Sequence, residues 1–111
     1  MAEISDILTT LLERTRQNKV SWQTTADESA FVAVLGKASV SIEDDYNVGM
    51  TLRILNQEGR EIESVGGHQP SVRPTLEQLD QLRDIYTMAR RIALGVDSQL
   101  DDLLKELQAG D

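Results

Sequence analysis

Between Val20 and Val65 the apolar residues recur mainly at every second position, while on either side of that stretch they recur at helical spacing. This switch of period constrains the fold more than any other feature. A repeat of two suits a strand with one covered face, and a repeat of about 3.6 suits a helix packed along one stripe. Val20, Trp22 and Thr24 alternate with Ser21, Gln23 and Thr25. Ala38, Val40 and Ile42 alternate with Ser39, Ser41 and Glu43. Tyr46, Val48, Met50, Leu52 and Ile54 alternate with Asn47, Gly49, Thr51 and Arg53.

The connections between these runs are short. Leu35-Gly36-Lys37-Ala38 predicts a two-residue hairpin of type II′, with glycine at its first central position. Asn56-Gln57-Glu58-Gly59 predicts a longer hairpin whose glycine is left-handed, and Asp44-Asp45 is expected to join the third strand to the fourth. Parallel strands would need crossovers of about a dozen residues or more, so the expectation is an antiparallel meander of four or five strands. The fifth, Arg60 to Val65, sets Glu61 and Glu63 against Ile62 and reads as an edge, where charge discourages further pairing.

Helices flank the meander. Ile4, Ile7, Leu8, Leu11 and Leu12 form one apolar stripe, with acids early and bases late as the helix dipole prefers. After a Gly66–Pro74 loop that holds both prolines, Thr75-Leu76-Glu77-Gln78 matches a capping box. Leu76, Leu79, Leu82, Ile85, Tyr86, Ala89, Ile92 and Ala93 then give a broad apolar face. Gly95 is expected to end that helix in the left-handed conformation, and Asp97 to cap a last, short helix bearing Leu100, Leu103, Leu104 and Leu107. The predicted architecture is one α+β domain over residues 1–111, its helices on one face of the sheet.

Composition narrows the function. There is no cysteine, hence no disulfide framework, cysteine-ligated zinc or thiol catalysis. A formal net charge of −8 argues against nucleic acid and anionic membranes as partners, since both are polyanions. No apolar run approaches the roughly 18 residues of a membrane span. The start of the chain has no basic segment ahead of an apolar one, so a cytoplasmic location is expected.

No constellation of residues demands chemistry. His68 has no second histidine or nucleophile motif and reads as a solvated loop residue. Glu43-Asp44-Asp45 with Asn47 invites a cation but lacks the spacing of an EF-hand loop, and aspartate is a turn former in its own right. Gly66-Gly67 lacks the phosphate-loop pattern and reads as a flexible connector, and Asp101-Asp102 as first-turn acids of the last helix. No catalytic residue, metal ligand or cofactor is therefore expected, and the chain is not expected to be an enzyme. Arg90 and Arg91, near Arg83, suit either the negative end of a helix dipole or an anion or partner. Trp22 is in phase with Val20 and is expected in the core, a surface anchor being the alternative.

Two apolar features exceed what one core needs. Ser29 to Leu35 is apolar in both phases. If Phe31, Ala33 and Leu35 face the helices, then Ala30, Val32 and Val34 point to the open side. The Leu100, Leu103, Leu104 and Leu107 stripe is too short to be stable alone and must dock, either on its own domain or on a partner. The same segment carries Asp97, Asp101, Asp102, Glu106 and Asp111 against Lys105, half of the net charge. A partner for it would be apolar at the centre and basic at the rim, and Arg83, Arg90 and Arg91 of a second copy would qualify.

The stretch from Leu82 to Asp97, with Ala89-Arg90-Arg91-Ile92-Ala93-Leu94-Gly95-Val96-Asp97 before a leucine-rich helix, resembles a group of small uncharacterised bacterial proteins. The likeness extends to Val20-Ser21-Trp22 through Phe31 and to the segment from Leu52 to Gly59. It implies a bacterial source and an α+β fold, and it carries no activity or site. The expected role is a non-catalytic protein-interaction module that self-associates as a homodimer. Alternatives are a small acidic chaperone or adaptor for another protein, and a small-ligand- or metal-binding protein using His68, Arg90, Arg91 or the acidic turn.

Overall fold

A computed structural model describes residues 3–45, 47–67, 70, 71 and 73–110; Tyr46, His68 and Asp111, on which some of the expectations rest, lie outside them. The fold is α+β. Helix α1 (Ile4–Arg16) leads into strands β1 (Gln23–Thr24), β2 (Ala30–Leu35), β3 (Ala38–Asp45), β4 (Gly49–Leu55) and β5 (Glu61–Gly66), and helices α2 (Leu76–Leu94) and α3 (Val96–Ala109) follow. The strands form one antiparallel meander in sequence order.

Register explains the core. Phe31 stands opposite Ile42, Ile42 opposite Leu52, and Leu52 opposite Val65, so one row of large side chains crosses four strands on a single face. A second row runs through Ala33, Val40 and Ile54. Leu8, Leu11 and Leu12 of α1 and Leu82, Ile85 and Ala89 of α2 complete the core. The turns form as their residues dictate. In the β2–β3 hairpin only Gly36 has a positive φ, as a type II′ turn requires. In the β4–β5 hairpin Gly59 is left-handed, and Asn56 Oδ1 accepts from the backbone N–H groups of Glu58 and Arg60. Thr75 and Gln78 close the expected capping box on α2.

Several expectations are corrected. The first strand shrinks to Gln23–Thr24, because Val20 and Trp22 are drawn under α1 and leave the ladder. Trp22 itself lies in the core as expected, 3% exposed, and its indole N–H donates to Thr15 Oγ1 at 3.2 Å. Asp44 and Asp45 belong to β3, and the turn follows them: Asp45 Oδ1 accepts from the Asn47 N–H and its carbonyl from that of Val48. At the start of α2, Leu76 and Leu79 stay exposed, since this end of the helix overhangs the core. Gly95, at φ 62°, ends α2 and is also the N-cap of α3. Asp97 makes no cap bond, and its carboxylate pairs with Arg91. Asp101-Asp102 accordingly lies past the first turn of α3.

Gly66-Gly67 is no loose connector. A Cβ at Gly66 would stand 2.3 Å from the Met50 carbonyl oxygen, and one at Gly67 1.8 Å from that of Val48. The glycines let β5 and its exit press against the start of β4, where the Gly67 N–H donates to the Met50 carbonyl. Beyond them Ser71 seals the β5 edge. Its hydroxyl accepts from the Ser64 N–H and donates to the Ser64 carbonyl, and its own N–H donates to Ser64 Oγ.

Candidate functional site

The sheet face away from the helices is polar over most of its width. Ser39, Ser41 and Thr51 lie there, and Arg53 of β4 reaches Glu43 of β3 at 3.0 Å and Glu61 of β5 at 2.7 Å. Burial alone would lower the Arg53 pKa, but the hydrogen bonds and charges of Glu61 and Glu43 outweigh it and the net shift is upward. Glu43 is thus spent on Arg53. Among the described residues no group of acids and histidines is arranged to hold a metal ion. Of the β2 residues on this face, Ala30 and Val32 are half-buried and Val34 stands well out, at 70% exposure.

The arginines of α2 are separated from that patch by the sheet. Arg83 pairs with Asp80 one turn earlier, and Arg91 pairs with Asp97 of α3. Arg90 borders a hollow of about 400 Å³ with Thr24, Asp27, Glu28, Phe31 and Leu94. The Asp27 carboxylate in this hollow is held below its ordinary pKa by the backbone N–H and hydroxyl of Ser29, both of which donate to it. Deeper in, the Tyr86 ring lies 5.6 Å from that of Phe31, tilted by 57°.

Burial, and then the nearby charge of Asp44, push the Tyr86 phenol above its ordinary value of 10.0. The folded state therefore holds this proton more tightly than the unfolded chain does. The stability that follows is complete below about pH 10 and shrinks as the pH rises through the folded-state pKa. A spectrophotometric titration of a Tyr46→Phe variant, which leaves Tyr86 as the one tyrosine, should show a midpoint above 10.0. A midpoint at or below that value would contradict the buried placement.

The largest apolar exposure is on α3. No residue of this helix is buried; Leu100, Leu103, Leu104 and Leu107 are 53%, 55%, 53% and 68% exposed. The stripe does not fold back onto its own domain. The molecule is elongated as a result, 57 × 31 × 26 Å, with a radius of gyration of 15.6 Å, where a chain of this length packed as one ball would have about 13 Å.

A second apolar feature is one that periodicity did not single out. Between α1 and the β2–β3 hairpin lies an open groove of about 300 Å³, with Ile7, Leu11, Val20, Leu35 and Val40 in its lining and the exposed Arg14 and Lys19 beside them. Neither base has an ion-pair partner among the described residues. Its only trace in the sequence is a pair of bases, Arg14 and Lys19, flanking the end of an apolar stripe. The strands that complete the groove come from a separate part of the chain. A scan against protein-family models and searches of the curated proteins and of the solved structures find no match to this chain.

Proposed function

We propose that this protein is a non-catalytic interaction module that associates with a second copy of itself through α3. The observation that carries the reading is a helix of 14 residues with no buried residue and four half-exposed leucines on one face. A helix of that length is marginal on its own in water, and most helices owe their stability to a packed apolar face. Fully burying a leucine contributes about 1.5–3 kcal/mol, so four that remain half-exposed leave several kcal/mol available to a partner. Exposed apolar patches on soluble proteins commonly mark such contacts.

Light scattering after size exclusion tests this. The chain should elute at about twice its 12.4 kDa mass, and Leu103→Glu with Leu107→Glu should elute as a monomer with an unchanged fold. A wild-type chain that stays monomeric at high concentration would overturn the reading.

A further inference from the structure

We propose that the α3 helix of each copy seats its leucine stripe in the α1 groove of the other, giving a reciprocal two-fold dimer. The inference rests on the self-association reading and names the surface that receives the helix.

Charge selects the groove. At 100° per residue, Asp101 falls about 110° to one side of the centre of the leucine stripe and Glu106 about 110° to the other. The helix thus presents an apolar ridge with a carboxylate on each flank. The groove is its complement, with Ile7, Leu11, Leu35 and Val40 in the lining and Arg14 and Lys19 at the mouth. Ile7 is half-buried and Leu35 is 42% exposed, so apolar surface is still open there.

The other surfaces fit less well. Two α3 helices laid against each other would bring acid to acid, which opposes association. Arg83 and Arg91 are already engaged with Asp80 and with Asp97 of α3 itself. The hollow beside Arg90 holds Asp27 and Glu28, which would repel an acidic helix. The hollow at Val34 has one base in its lining, Lys37, and Arg53 of that sheet face is bound to two glutamates, so it offers one cation to a helix that carries a carboxylate on each flank. A two-fold arrangement also uses both features twice, since each copy gives one helix and accepts one.

The test is a charge exchange read as a dimer dissociation constant by sedimentation. Arg14→Glu with Lys19→Glu makes groove and helix both acidic. Asp101→Lys with Glu106→Lys makes both basic. All four side chains are exposed, so the fold should survive, which circular dichroism checks. Each double variant alone should dimerise about tenfold or more weakly than wild type. An equimolar mixture should recover wild-type affinity, because the acidic groove then receives the basic helix and the basic groove the acidic one. A wild-type dimer whose affinity neither exchange changes, or no recovery on mixing, would overturn the groove assignment and leave self-association standing. Ready oxidative cross-linking of Leu103→Cys to itself in an otherwise cysteine-free chain would assign the contact to α3 against α3 and overturn it as well. A strictly monomeric wild type would overturn both readings.

Discussion

Replacing Phe31 with alanine is expected to cost about 3–5 kcal/mol, the range for deleting a buried aromatic ring. Phe31 is 2% exposed, begins the core row that continues through Ile42, Leu52 and Val65, and meets Tyr86 of α2 ring to ring. Its removal opens a cavity where sheet and helix meet, and neither can collapse into it without breaking register. Native domains are stable by only about 5–15 kcal/mol, so this variant should lose a large share of its margin. Urea unfolding followed by circular dichroism measures it, with Phe31→Leu as a milder control. A loss below about 1 kcal/mol would mean that α2 does not cover this face of the sheet.

The second large effect is expected from Gly67→Ala. The added methyl carbon would sit 1.8 Å from the Val48 carbonyl oxygen and 2.7 Å from its carbonyl carbon. Both are backbone atoms at the entry to β4, so no side chain can rotate away. The chain must separate β5 from β4 or bend the turn, and overpacking of this kind costs about 3 kcal/mol. At roughly 4 °C per kcal/mol for a domain of this size, the melting temperature should fall by about 12 °C. Gly36→Ala separates the two causes. Its Cβ would meet open space, so it pays only the left-handed strain of φ 67°, about 1–2 kcal/mol. Equal losses in the two variants would show that collision is not what requires Gly67.

Much of this architecture is legible in the sequence. The alternation at Ala38–Ile42 and Met50–Ile54, the turn glycines Gly36 and Gly59, the Thr75–Gln78 box and Gly95 each carry a local physical signal, and each forms as read. What escaped depends on partners far along the chain. Val20 and Trp22 have the spacing of a strand, but the partner of Trp22 is Thr15 on α1, and spacing cannot distinguish that from a ladder. The need for glycine at 66 and 67 comes from Met50 and Val48, which no local pattern links to them. The leucine stripe of α3 was plain, yet periodicity shows that a face is apolar without showing what covers it. The groove beside Arg14 and Lys19 was harder still, because its lining joins α1 to a hairpin about twenty residues onward.

The exposure of α3 divides the molecule into two parts of unequal durability. Amides around Ile42, Leu52, Leu82 and Ile85 should exchange with solvent hydrogen only when the whole domain opens, because these residues are fully enclosed. Amides of α3 have no such lock, since nothing on that helix is enclosed. They can exchange by local fraying beyond Gly95 while the rest of the domain stays intact. The outer turns of α3 are therefore a part of the fold whose order a partner can control at small energetic cost.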